Sequence, residues 1–150
     1  MSKRSETPLD LYEGGGWINI PAVAHLGCWC NILIGKRQVG KTYGALKFML
    51  ENNRHFLYLR RTTTEFDAIT SDPDLNPFLP LKKEGFDADV VKSGKVTYTI
   101  GKFEYDEDGK PQQCIEKYGI GMTLPSIANI RGFNGSQFDD VVFDEFIPER

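Results

Sequence analysis

Residues Gly35-Lys36-Arg37-Gln38-Val39-Gly40-Lys41-Thr42 follow the spacing G-x-x-x-x-G-K-[ST]. Glycines at these points let a backbone curl until its N–H groups converge on an anion, and a helix starting there adds the positive end of its dipole. In such a loop the Lys41 ammonium reaches the β- and γ-phosphate oxygens, and the Thr42 hydroxyl faces a Mg²⁺ that bridges them. The phosphate-binding set is therefore Gly35 through Thr42, with Tyr43 beside it. The bare pattern arises by chance in on the order of one in a hundred chains of this length, so flanking elements must carry the assignment. A second cluster is Val141-Val142-Phe143-Asp144-Glu145, an apolar run ending in two carboxylates. Opposite a phosphate loop, Asp144 is placed to hold the metal with Thr42, and Glu145 to polarise an attacking water as general base. Side chains alternate along a strand, so the two carboxylates are expected to point to different sides and to differ in role. The competing reading is a solvated carboxylate pair at a strand end.

These residues need a strand before the loop, a helix after it and a strand ahead of the acidic pair. CWCNILI, Cys28 to Ile34, is short, apolar and stopped by glycine, which predicts a buried first core strand with Trp29 packed in it. KTYGALKFMLENN has loosely helical apolar spacing and ends in Asn52 and Asn53, predicting a helix. HFLYL predicts a second buried strand ending in Arg60 and Arg61, and VVF a third. A polar start, a Gly14-Gly15-Gly16 patch and WINIPAVAH form an arm leading in. A short helix TEFDAI precedes an irregular, proline-broken stretch. DVV, KVTYTI, KFEYDE and QQCIEKYGIG then read as hairpins turning at Lys92-Ser93-Gly94 and Asp108-Gly109. The expected fold is an α/β P-loop NTPase domain with a mostly parallel central sheet and an inserted β-hairpin region.

The chain has 150 residues, 40% hydrophobic and 26% charged, which suits one globular domain and excludes a disordered tail. A net charge of -3 excludes a generic basic nucleic-acid binder, so DNA contact would need a local basic cluster. Three cysteines are too few for a disulfide framework and lack the pairing of a zinc site. The apolar runs fall short of the roughly 18 residues that span a bilayer, and no signal-peptide stretch opens the chain, so no membrane association is expected. The acidic pair favours a motor-type ATPase over a small-molecule kinase, which needs an acceptor pocket instead.

GKRQVGKT and VVFDE, taken with YLRR and SIANIRGFN, resemble the ATPase domain of phage DNA-packaging motors. The loop form and Arg131-Gly132 are similar to terminase large subunits. The closer likeness, from about Asn31 to the end, is to the small packaging ATPases, or encapsidation proteins, of phi29-like phages. It is strongest at the two motifs and weak from 62 to 120. The resemblance implies an ASCE/RecA-like ATPase, using ATP and Mg²⁺, that moves double-stranded DNA into a prohead. It implies a homo-oligomeric ring in the host cytoplasm, docked transiently on portal or prohead components. Lys41 and Thr42 would bind phosphate and metal, Asp144 would hold Mg²⁺ and Glu145 would activate water. Arg131 would be inserted against a neighbour's γ-phosphate, or is a solvated loop arginine. Arg37 and Gln38 would steer Lys41 or reach a neighbour. Arg60 and Arg61 would sense nucleotide or touch DNA, or are plain surface arginines. In the family the core continues beyond the acidic strand, whereas this chain ends six residues after Asp144. The expectation is an ATPase domain over 1–150, incomplete at its C-terminal end and without the nuclease-like domain. Alternatives are another P-loop DNA translocase, a phosphotransferase, or a nucleotide-binding assembly module without turnover.

Other features carry less. His25 and His55 lack paired ligands, and Asp106-Glu107-Asp108 suits a solvated hairpin turn better than a cation site. Trp17, Trp29 and Tyr43 are candidates for stacking on adenine, with core packing the expected use of Trp29. Lys82, Lys83, Lys92, Lys95 and Lys102 form either a stripe facing DNA or a solvated face.

Overall fold

A computed structural model of the chain describes residues 11–12 and 15–145. The polar start, Gly14 and the residues after Glu145 lie outside them. The fold is α/β, built on one five-stranded mixed sheet in the order β2-β3-β4-β1-β5. Its elements are α1 (Ile20–Ala24), α2 (Lys41–Glu51), β1 (Phe56–Arg60), α3 (Thr63–Ser71) and α4 (Leu79–Lys83), then β2 (Asp89–Lys92), β3 (Tyr98–Tyr105), β4 (Pro111–Thr123), α5 (Leu124–Asn129) and β5 (Asp140–Phe143).

Strand β1 lies between β4 and β5 and is parallel to both. It is buried from Phe56 to Leu59, as a strand covered on both faces must be. Alternation sends Phe56 and Tyr58 into one core with Leu46 and Met49 of α2, Phe66 of α3 and Leu81 of α4. Leu57 and Leu59 enter a second core with Met122, against which Ile127 of α5 and Phe143 pack. The helix after the loop, the second strand and the short helix thus form where the sequence predicts them. Helix α3 is fixed at its start by a capping box between Thr62 and Glu65.

The sheet is not mostly parallel. Strands β2, β3 and β4 pair antiparallel, giving two antiparallel pairings beside the two parallel ones. The hairpins are continuous with the core because β4 is 13 residues long. Its first part pairs only with β3, while Gly119 to Thr123 also lie along β1. KVTYTI and KFEYDE supply a single strand, β3, with register shifts against β4.

The largest departure is at Cys28 to Ile34, which forms no strand. Trp29 is 99% exposed and Ile34 77%, so the expectation of a buried strand with a packed Trp29 fails. A strand is defined by a backbone partner, and an apolar run states a need for burial without naming one. This run forms no ladder with β5, which remains an edge strand with Val141 exposed. Three of the five stripe lysines are ion-paired: Lys82 with Asp89, Lys92 with Asp67 and Lys102 with Asp87. The turn at Asp108-Gly109 is an ordinary one, in which Asp106 accepts from the backbone N–H groups of Asp108 and Lys110.

Candidate functional site

Helix α2 begins at Lys41 directly after Gly40, whose left-handed φ of 77° is tolerated by glycine without strain. No side chain caps this helix start and no acidic residue sits in its first turn. Its leading N–H groups thus have no side-chain cap. The Lys41 ammonium folds back over the loop, donating to the carbonyl oxygens of Gly35 at 3.0 Å and Lys36 at 2.6 Å. Lys36, Arg37 and Gln38 are exposed, and Gln38 also takes a positive φ of 64°. The loop is therefore curled, and its one lysine on the helix start already lies across its mouth.

The two sequence motifs meet. Parallel pairing of β5 with β1 carries Asp144 to the end of the sheet where α2 starts, and the Thr42 hydroxyl donates to Asp144 Oδ1 at 2.8 Å. The other carboxylate oxygen accepts from the Tyr58 hydroxyl at 3.0 Å and from Arg60 Nη2 at 3.1 Å. Arg60 Nε in turn donates to the Tyr58 oxygen at 3.1 Å. Tyr58 and Arg60 stand two apart on β1, on one face of the sheet, so the cluster is a consequence of strand alternation. Arg60 is not a plain surface arginine, since its side chain is 12% exposed and that of Asp144 14%. Burial would by itself lower the Arg60 guanidinium, but Tyr58, Asp144 and Glu145 outweigh it and hold its pKa above the usual arginine value. Burial, with the Asp144 charge adding to it, raises the Tyr58 hydroxyl far above an ordinary tyrosine, so Tyr58 stays a donor.

Glu145 does not point away from Asp144 as an extended strand would require. The strand ends at Phe143, Glu145 takes a left-handed φ of 51°, and its Oε2 comes within 3.9 Å of Arg60 Nη1. Arg61 fixes this bend by donating from Nε to the Glu145 carbonyl at 2.9 Å while pairing with Glu65. Both carboxylates thus flank one guanidinium, yet Glu145 is 54% exposed and open to water, unlike Asp144. Arg131 is exposed on the segment after α5 and takes no part in these contacts. His25 is bonded to the Pro21 carbonyl and His55 stacks on Phe138, and no metal-ligating cluster of three or more His, Cys, Asp or Glu exists among the described residues.

Tyr58 is the residue that the sequence reading missed. The signal was present in HFLYLRR, where a tyrosine two positions before an arginine shares its face, but only the position of β5 reveals the carboxylate they hold. Tyr58→Phe keeps the ring and removes a hydroxyl that both donates and accepts. It is expected to cost about 1–2 kcal/mol of stability in urea denaturation, and an unchanged midpoint would show that the cluster does not brace the strand ends.

No protein-family model matches the chain, no curated protein matches it significantly, and no solved structure does. Among the described residues no helix is long and apolar enough to cross a membrane.

Proposed function

We propose that residues 35–42 bind the phosphates of Mg²⁺-ATP and that the chain hydrolyses it as a P-loop motor domain. The observation that carries this reading is the 2.8 Å contact between Thr42 and Asp144, which joins the two motifs across the sheet. A hydroxyl and a carboxylate are hard oxygen donors of the kind Mg²⁺ takes, with water and phosphate completing its shell. When bound, the metal neutralises charge on the transferring phosphoryl group. Thr42 and Asp144 would hold it, with Tyr58 and Arg60 fixing the carboxylate from behind. Lys41 exchanges the loop carbonyls for phosphate oxygens, and Glu145, exposed and beside Arg60, accepts the proton of the attacking water.

The resemblance to packaging ATPases supports a specific setting for this chemistry: packaging of double-stranded viral DNA into a prohead, by a ring of subunits in the host cytoplasm. In that setting Arg131, exposed and outside its own subunit's cluster, serves a neighbouring site. The pairing of Lys82, Lys92 and Lys102 with carboxylates argues against the hairpins as the DNA-binding face.

Lys41→Ala tests the phosphate site. The backbone cradle survives while a charge-assisted contact is lost, so a fluorescent ATP analogue with Mg²⁺ should bind at least tenfold more weakly. Unchanged affinity would place the phosphates elsewhere. Phosphate release with water as sole acceptor separates an ATPase from a phosphotransferase, and stimulation by double-stranded DNA separates a translocase from a passive module.

A further inference from the structure

Strand β2 is an edge of the sheet, paired with β3 on one side and, among the described residues, with no strand on the other. Beside it lies a cleft of about 490 Å³, between α3 and α4 and the end of the hairpin formed by β3 and β4. All four residues of β2, Asp89 to Lys92, line it. Successive side chains of a strand point to opposite faces, so a cleft that touches all four runs along the strand's edge. Ile69, Leu79, Val90 and Val91 supply its apolar wall, and its volume is in the range of natural ligand sites. An ammonium stands at each end of the strand: Lys82 is 3.0 Å from Asp89, and Lys92 is 2.8 Å from Asp67. Lysine on an edge strand commonly blocks pairing. Here both lysines are drawn aside onto carboxylates, and neither carboxylate depends on its lysine. Asp89 also accepts from Asn76, the Tyr105 hydroxyl and its neighbour's N–H at Val90, each at 2.8 Å, and Asp67 accepts from the Tyr98 hydroxyl at 2.7 Å. Either ammonium can therefore share its remaining protons with an arriving anion while its carboxylate stays satisfied.

We propose that the cleft along β2 binds an extended acidic peptide segment of a partner protein, which adds to the five-stranded sheet as a further strand. Backbone hydrogen bonds to the free edge supply affinity, and acidic side chains reaching Lys82 and Lys92 supply the preference. At about 3.3 Å per residue the edge of β2 offers roughly 13 Å, so the segment engages about four residues. The lysines that offer duplex DNA no open face remain within reach of a single strand of peptide. The cleft shares no residue with the phosphate loop or the Asp144 cluster, so the inference stands apart from the nucleotide reading.

The probe is a fluorescein-labelled hexapeptide alternating glutamate and valine, titrated with the full chain and read by anisotropy at about 0.15 M salt. It should bind, and the matched glutamine–valine peptide should bind roughly tenfold more weakly. Lys82→Ala and Lys92→Ala should each weaken the acidic peptide roughly two- to fivefold. Lys95→Ala removes the same charge from the neighbouring turn, outside the cleft, and should leave binding unchanged. Methylating alternate backbone nitrogens of the peptide should cost roughly tenfold or more in one of the two possible registers, because edge hydrogen bonds are lost. Equal binding of the two peptides would remove the charge preference, and an equal loss in Lys95→Ala would reduce it to unspecific attraction. Full affinity in both methylated series would show that no strand is added. Each of these results overturns the proposal, as does an acidic peptide that fails to bind.

Discussion

On the proposed reading as a ring ATPase, subunits carrying Arg131→Ala are expected to bind ATP normally and to hydrolyse it roughly 10³-fold more slowly or worse. An arginine inserted against a transferring phosphoryl group offsets charge that spreads over its oxygens, and contributes nothing to an isolated binding site. The geometry fits such a division. Arg131 is exposed beside Gly132, which takes a φ of 72°, and it makes none of the contacts that organise Thr42, Arg60 and Asp144. Mixing with Glu145→Gln subunits decides whether it works across an interface. One parent keeps its base and the other keeps its arginine, so mixed interfaces should regain turnover that neither shows alone. Mixed rings that assemble and stay inactive at every ratio would confine Arg131 to its own subunit or remove it from catalysis.

Glu145→Gln should leave ATP affinity within about twofold and reduce hydrolysis roughly 10²-fold or more. The amide preserves shape and hydrogen bonding but cannot take a proton. Glu145 lies at the rim of the cluster, 3.9 Å from Arg60 and half exposed, so the substitution leaves the buried contacts in place. Asp144→Asn is different in kind. It replaces the carboxylate that Thr42, Tyr58 and Arg60 all donate to, and should weaken Mg²⁺-dependent binding itself. Single-turnover hydrolysis measured beside equilibrium binding separates the two effects. If both variants lose binding equally, the assignment of one carboxylate to the metal and the other to water is wrong.

Two arginines tie the acidic turn to the elements behind it. Arg60 and Arg61 are neighbours at one strand end, and they hold the acidic turn at two points: Arg60 the Asp144 carboxylate, Arg61 the Glu145 carbonyl. Arg61 is also tied to Glu65, the residue that closes the capping box of α3. The acidic turn, the end of β1 and the start of α3 are thus joined by one chain of hydrogen bonds and ion pairs.

The sequence by itself determined the local pieces. The helix from Lys41, the buried strand from Phe56, the short helix after Arg61 and the two hairpin turns all follow from nearest-neighbour patterns, because turn residues and periodicity act within a few positions. It also singled out Thr42 and Asp144, which lie together although 102 positions apart. Only the tertiary structure decided which edges pair. Hydrophobicity marks Cys28 to Ile34 for burial, yet backbone hydrogen bonds require a partner that no single segment encodes, and the run stays exposed while β5 remains an edge. The same reason makes the sheet mixed: the long β4 serves β3 on one side and β1 on the other, a choice of neighbours that alternation along a strand leaves open. Tyr58 and Arg60 were legible as residues on one face of a strand. Their task was not, because a buried arginine is defined by the charge that meets it, and that charge arrives from the far end of the chain.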